Sequence, residues 1–242
     1  MSLSDWLRDF QKSFRMRRMR RFQTAFPHVA GCRVLDVGGT PEIWRLLPDT
    51  PSVVLLNMPR ADEGREPLAA PLTGVHGDGC HLPFADRSFD IVFSNSVIEH
   101  VGGADAQSRF AREVMRVGNG YWVQTPNRFF PIEMHLLTPL VHLLPRGLRA
   151  WIVRRFTVWQ WIHRPTPDRR HFYVEHFISD IRLLSTAQLQ ELFPDAVILR
   201  ERFLAFTKSL ISFRPPLPHP AGLHPEFPES AQAVPATKKA SE

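Results

Sequence analysis

The sequence predicts an α/β fold: a doubly wound, mostly parallel, seven-stranded sheet with a helical insertion after the fifth strand. Short apolar runs alternate with helical or loop segments, which is the pattern of right-handed crossovers in a parallel sheet. The first run ends in Asp36, Gly38 and Gly39, the way a buried strand delivers a glycine turn to a ligand. The last two runs lie close enough in sequence to make a hairpin. Composition permits this fold, since 242 residues at 43% hydrophobic and 22% charged suit one domain with a full core.

Residues 1–26 read as a basic amphipathic helix. Leu3, Trp6, Leu7, Phe10 and Phe14 recur at three- and four-residue spacing, Ser4 can cap the start, and Arg8, Lys12, Arg15, Arg17, Arg18, Arg20 and Arg21 make an arginine face. Three roles compete for it: packing on its own domain as a lid, lying on anionic lipid, or contacting nucleic acid. The central domain spans residues 27–213. Its strands are expected at Arg33 to Val37, Val53 to Leu56, near Gly74 leading into Gly77, Asp90 to Ser94, and Gly120 to Gln124. Helical periodicity follows the fourth through Phe110, Val114 and Met115.

Residues 131–180 form the insertion, read as helical, with Leu136, Leu137, Leu140, Val141, Leu143 and Leu144 on a short helix interrupted by Pro139. Ser185 opens another helix with Gln188 as its capping-box partner. Ala196 to Leu199 with Phe203, then Phe206 to Phe213, supply the closing hairpin. The proline-rich tail, 214–242, is expected to be disordered, because its prolines withhold donors and its few large apolar groups cannot offset the entropy of ordering.

Several function classes are disfavoured. Cys32 and Cys80 can build no disulfide framework and lack the paired spacing of structural zinc, so no metal site is expected. No apolar run reaches the roughly 18 residues of a spanning helix, which predicts a cytoplasmic protein with at most a peripheral contact to the inner face of an anionic membrane through residues 3–26. Lys+Arg 30 against Asp+Glu 24 gives a formal charge of +6, which favours anionic partners without the excess of a dedicated nucleic-acid binder. The sequence leaves the oligomeric state open.

In open α/β sheets ligands lie beyond the carboxyl ends of the strands, and the unusual residues fall there. Gly77-Asp78-Gly79-Cys80-His81-Leu82-Pro83-Phe84 precedes Phe89-Asp90-Ile91-Val92-Phe93-Ser94-Asn95-Ser96-Val97-Ile98-Glu99-His100. With the Asp36-Val37-Gly38-Gly39 turn, this run resembles the class I S-adenosylmethionine-dependent methyltransferases of Rossmann-like fold, small-molecule branch, over roughly residues 30 to 130.

The resemblance implies S-adenosyl-L-methionine as cofactor. It sets Asp36, Gly38 and Gly39 at the cofactor's amino acid part, Asp78 at the adenine amino group with Gly79 and Cys80 beside the ring, and Ser94, Asn95 and Ser96 along the methionine portion. Glu99 and His100 match the family's Glu-His pair at the substrate edge. Two positions depart from the pattern. Asn57 stands where an acidic residue usually binds the ribose, with Asp62 or Glu63 as substitutes nearby, and Thr40-Pro41 replaces the third glycine. An amide still donates and accepts, without the strength of a charged hydrogen bond.

Methyl transfer from a sulfonium is an in-line displacement that works by alignment and exclusion of water, and no catalytic triad is apparent. A hydroxyl or acidic carbon nucleophile needs a base within reach. His135, after the fifth strand, is the first candidate, with Glu133 to orient it; His100 and His171 are weaker ones. The apolar, arginine-rich insertion favours a small or lipid-like acceptor methylated on oxygen or carbon. A nucleic-acid methyltransferase is one alternative, disfavoured by Ser-Asn-Ser-Val at the fourth strand's end; an inactive relative with a binding or regulatory role is another, supported by Asn57 and the missing third glycine. A nicotinamide enzyme would need a dinucleotide fingerprint that Gly38-Gly39-Thr40-Pro41 does not supply.

Overall fold

The computed structural model describes residues 3–59, 68–179 and 181–216. The tail from 217 onward and the Asp62 and Glu63 substitutes lie outside the described residues. Strands β1 (Arg33–Val37), β2 (Ser52–Asn57), β3 (Leu72–His76), β4 (Phe89–Asn95) and β5 (Gly118–Pro126) fall where the apolar runs predict them. Two short strands, β6 (Ile132–Glu133) and β7 (Thr138–Pro139), pair with each other in the insertion, and β8 (Val197–Phe203) with β9 (Phe206–Arg214) makes the closing hairpin.

The main sheet has seven strands in the order β3-β2-β1-β4-β5-β9-β8. Strands β1 to β5 are parallel, while β9 runs antiparallel to β5 and to β8. The chain winds outward from β1 through β3 and returns to place β4 on the other side of β1, so the switch in strand order lies between β1 and β4. Val37 is level with both Leu56 and Ser94, so the β1 and β4 carboxyl ends open side by side.

Successive side chains leave a strand on opposite faces, and each face has its own core. Leu35, Val37, Leu56, Val92, Tyr121 and Val123 pack against helices α3 (Ala104–Val117) and α7 (Thr186–Leu192), through Phe110, Val114 and Leu189. Val34, Val53, Leu55, Ile91, Phe93 and Trp122 turn the other way, toward α1 (Leu3–Ala25) and α2 (Pro41–Trp44). Ser185 and Gln188 form the expected capping box at the start of α7.

The N-terminal helix packs on its own domain. Met19 and Phe22 on α1, with Phe26 just beyond it, are buried against Trp44, Phe93 and Trp122, with Phe22 edge-on to all three rings. Each such side chain contributes roughly 1.5–3 kcal/mol by leaving water. The expected arginine face needs a correction at one position. Phe14, Arg18, Phe22 and Phe26 follow one another at four-residue spacing, so Arg18 sits in the apolar stripe and is buried, 4% exposed.

The insertion differs from expectation between Leu136 and Leu144. A short helix was expected there; instead β6 and β7 form a small hairpin, followed by one 3-10 turn at Val141–Leu143. Leu137 and Leu140 adopt positive φ, 51° and 56°, which a helix cannot contain, and Pro139 withholds the donor that a helical turn requires. The insertion is helical later, in α4 (Arg146–Arg155), α5 (Val158–His163) and α6 (Pro167–Ser179), around a third core of Leu136, Val153, Trp159, Val174, Phe177 and Ile178. Among the described residues no helix is long and apolar enough to cross a membrane.

Candidate functional site

A cleft of about 720 Å³ opens at the carboxyl ends of β1, β4 and β5, walled by α1 and by the start of the insertion. Its lining includes Asp36, Gly38, Gly39, Asn95, Ser96, His100 and His135, all named from sequence. It also includes Arg18, Gln124 and Lys208, which sequence reasoning did not select.

Asp36, the last residue but one of β1, has its side chain fully buried in the cleft floor. Trp44 Nε1 donates to Asp36 Oδ2 at 2.8 Å, whereas Oδ1 has no hydrogen-bond partner. Burial pushes this carboxyl up to about 7, against the opposing effect of the Trp44 hydrogen bond. The turn above it needs its glycines. Gly38 has φ +74°, in the region L side chains avoid, and a Cβ there would lie 2.4 Å from Val97. At Gly39 a Cβ would lie 1.8 Å from Asp36 Oδ2, so the backbone rests directly on the carboxylate.

Asn57, at the end of β2, donates its amide to the Gly39 carbonyl at 3.0 Å and so braces the turn. Asp78 lies after β3; it accepts from the Cys80 backbone N–H at 2.8 Å and faces His81 Nδ1 at 3.1 Å. The Cys80 amide, aided by His81, outweighs partial burial and holds this carboxyl below its usual range. Burial and the nearby Asp78 charge push the Cys80 thiol up, which makes it inert. Asn57, Asp78, Gly79 and Cys80 are not among the residues that line the cleft. Ser94 is also set back, with Oγ donating to the Val37 carbonyl at 3.2 Å and tying β4 to β1.

At the end of β4, Ser96 takes φ 58° and is clamped to β5, its N–H donating to the Gln124 carbonyl and its Oγ to Gln124 Oε1, both at 2.9 Å. Arg18 reaches the same point from α1. Its guanidinium forms a fork with Glu201 on β8, at 3.0 and 2.6 Å, and also donates to Gln124 Oε1 at 2.9 Å and to Asn95 Oδ1. The charges are thus paired and hydrogen-bonded out of water, the condition under which a buried ion pair is tolerated. Lys208 stands beside them with Nζ 4.5 Å from the Phe14 ring; burial and the Arg18 charge lower it to about 8.

The other end of the cleft gathers two acids and two histidines. Glu133, buried on β6, accepts from the backbone N–H groups of His135 and Leu136 at 2.9 and 2.7 Å and from His135 Nδ1 at 2.6 Å. Burial raises the Glu133 carboxyl, but the hydrogen bonds and charge of His135 outweigh it and hold it below the usual range. For His135 burial works downward, and the Glu133 hydrogen bond with the charges of Glu133 and Glu99 brings it above its ordinary value. With Nδ1 committed to Glu133, His135 turns Nε2 to His100 Nε2 at 3.2 Å.

Glu99 lies beneath them, fully buried. Thr125 Oγ1 donates to Glu99 Oε2 at 2.9 Å; Oε1 has no hydrogen-bond partner and stands 4.0 Å from His100 Nε2. Burial pushes Glu99 up to about 7, moderated by His135 and Thr125. His176 on α6 stacks parallel to the His100 ring, with centroids 5.6 Å apart. His171, one of the two weaker sequence candidates, is an exposed residue of α6 and is not among the lining residues.

The floor fits the amino acid and sulfonium part of S-adenosylmethionine. A buried carboxylate with an unpartnered oxygen suits a cationic group, and a turn with no room for Cβ atoms allows close backbone approach.

Comparisons with known proteins agree with this geometry. Residues 50–120 match the family model described as a methyltransferase domain. Among curated proteins there is no match. A Rhodobacter sphaeroides structure provisionally described as a Zn-dependent alcohol dehydrogenase is 12% identical, with TM-score 0.51, covering 80% of this chain and 88% of that one. The 1,6-didemethyltoxoflavin-N1-methyltransferase of Burkholderia thailandensis, solved with 1,6-didemethyltoxoflavin and S-adenosylhomocysteine, is 14% identical, with TM-score 0.49 and coverage of 87% and 84%. An S-adenosylmethionine-dependent methyltransferase from Mesorhizobium loti is 15% identical, with TM-score 0.48 and coverage of 80% and 95%. At 12% identity the Rhodobacter sphaeroides likeness speaks for the fold alone. Residues 50–120 thus match a methyltransferase domain, and the strand order with the glycine turn gives the chain a Rossmann-like fold.

Proposed function

We propose that the protein transfers a methyl group from S-adenosylmethionine to an oxygen or carbon of a small or lipid-like acceptor. The observation that carries this reading is the cleft floor, where the buried Asp36 carboxylate keeps one oxygen unpartnered beneath a turn that cannot hold a Cβ. Asp36, Gly38 and Gly39 hold the amino acid part. Asn57, whose Nδ2 is already used on Gly39, offers its Oδ1 to the ribose hydroxyls. Asp78 accepts from the adenine amino group, with Gly79 and Cys80 beside the ring, while Ser94, Asn95 and Ser96 shape the methionine side. When bound, the cofactor supplies an electrophilic methyl carbon whose bond to sulfur breaks as the nucleophile attacks in line.

The chain's own contribution is alignment and activation. Arg18 fixes Asn95 and Gln124, and α1 forms one wall of the cleft. His135 activates the nucleophile: Glu133 holds Nδ1 and sets the tautomer, and Nε2 exchanges its 3.2 Å contact with His100 Nε2 for the acceptor, with Glu99 and His100 completing the acceptor edge. An acceptor bearing an apolar body and an anionic group suits a cleft that also holds Phe14, Met134, Arg15 and Lys208. A bilayer contact through residues 3–26 would not use Phe14, Met19, Phe22 or Phe26, which are already buried.

Isothermal titration calorimetry with S-adenosylmethionine and S-adenosylhomocysteine tests the reading. One equivalent of either is expected to bind. No heat at millimolar ligand would instead mark an inactive relative. Profiling metabolites and lipids of cells with and without the protein, for species differing by one methylene mass, then identifies the acceptor.

A further inference from the structure

We infer that Glu99 Oε1, His100 Nε2 and His135 Nε2 form a binding site for a divalent transition-metal cation such as Zn2+, at the acceptor end of the cleft. The sequence pointed to no metal, because the donors come from two separate stretches that only the fold brings together, the β4 end and the turn after β6. The three ligand atoms lie within 4.8 Å of one another. The two ring nitrogens are 3.2 Å apart and Glu99 Oε1 is 4.0 Å from His100 Nε2, spacings that bonds of about 2.0–2.2 Å to one cation span after small side-chain movement.

The supporting groups are those of a metal site. Glu99 is fully buried, its Oε2 is held by Thr125, and its Oε1 is left without a hydrogen-bond partner. An ionised oxygen in that position is costly unless a cation or donor meets it. His135 is oriented by Glu133 on Nδ1, the carboxylate–histidine arrangement that fixes a ligand's tautomer and raises its basicity. Thr125 plays the same part for Glu99, and His176 stacks on the His100 ring and holds its plane. Two imidazoles and one carboxylate suit Zn2+, Co2+ or Ni2+; they do not suit Mg2+ or Ca2+, which prefer oxygen donors throughout. A three-ligand set leaves a coordination position open, as catalytic sites require.

The inference rests on the reading of this end as the acceptor side, and it says how the nucleophile is activated. An acceptor oxygen entering the open position loses its proton to solvent on coordination, and the resulting alkoxide or phenoxide attacks the methyl carbon while the carbon–sulfur electron pair goes to sulfur. In the loaded protein the His135 lone pair belongs to the cation; without a cation, His135 itself receives the proton.

The test uses the full chain, stripped with chelator and dialysed against Zn2+, Co2+ or Mg2+, with metal content, the visible spectrum of Co2+ and S-adenosylhomocysteine affinity as readouts. One equivalent of Zn2+ or Co2+ is expected, with a tetrahedral or five-coordinate Co2+ spectrum and no retained Mg2+. His100→Ala and His135→Ala are expected to lose the metal while keeping S-adenosylhomocysteine affinity, which also shows that they fold. Glu133→Gln is expected to weaken the metal by about 10–100-fold. If no Zn2+ or Co2+ is retained by protein that binds S-adenosylhomocysteine, or if retention survives both histidine substitutions, the metal inference is overturned and the methyltransferase reading stands. Loss of S-adenosylhomocysteine binding by the unaltered chain would overturn that reading instead.

Discussion

Cofactor binding should expel a proton from Asp36, and the effect is large enough to measure. Burial places this carboxyl at about 7, so near neutrality the free protein holds it partly protonated. A unit positive charge about 5 Å from the ionised group, at an effective dielectric constant near 20, is worth about 3 kcal/mol, or roughly two pKa units. Binding a sulfonium and ammonium ligand therefore draws the group to about 5 and releases roughly 0.8 proton at about pH 6, falling to about 0.2 at about pH 7.5. By the same linkage the affinity rises about 8-fold across that interval.

Calorimetry in two buffers of different ionisation enthalpy reads the proton count directly. Asp36→Asn should abolish both the release and the rise, which separates the effect from titration of the ligand's own amino group. The sign for the free protein is the reverse. The folded state holds the proton more tightly than the unfolded one, so stability declines as pH rises from about 4 to 7 and is level above that. Asp36→Asn should remove this decline from a thermal-unfolding series. Unaltered protein that binds S-adenosylmethionine with no proton exchange at about pH 6 would refute the assignment of Asp36 as the buried counter-charge.

Other substitutions probe the surrounding structure. Gly39→Ala drives a methyl group into Asp36 Oδ2, so cofactor affinity should fall by about 10-fold or more, and calorimetry with near-ultraviolet circular dichroism should show a change around Trp44. Arg18→Met leaves Glu201 buried without its partner and should cost about 3–5 kcal/mol in urea unfolding, most of it recovered in Arg18→Met/Glu201→Met. A double variant as unstable as the single one would mean that the charge pair is not what the helix contributes. Asp78→Ala should weaken cofactor binding by about 1–3 kcal/mol through a lost adenine hydrogen bond; unchanged affinity would reject that role.

The strands and the glycine turn were legible in sequence because both are local signals. A buried parallel strand is a continuous apolar run whatever lies on either side, and Asp36-Val37-Gly38-Gly39 is specified by chain geometry within a few residues. Leu137 and Leu140 show where that legibility stops. The apolar spacing from Leu136 to Leu144 satisfies a helix, and the chain nevertheless turns back between Glu133 and Thr138 as a two-strand hairpin and buries Leu136 and Val141 in the third core. Tertiary packing decided between two patterns that periodicity could not separate.

Arg18 is the more instructive case. Its neighbours in the basic run point to a solvated face, but its place in the four-residue series Phe14, Arg18, Phe22 and Phe26 points inward, and in a helix the series is the stronger constraint, since rotating one residue out would rotate the whole stripe. An arginine forced inward needs an acid, and the acid is Glu201, which a sequence reader meets 183 residues later on a strand with no motif. The same pair bridges α1 to β8 while its remaining donors hold Asn95 and Gln124 at the cleft. The first helix is therefore a wall of the site and a part of the core at once, and removing it to test its role at a membrane would remove the support of the β4 end as well.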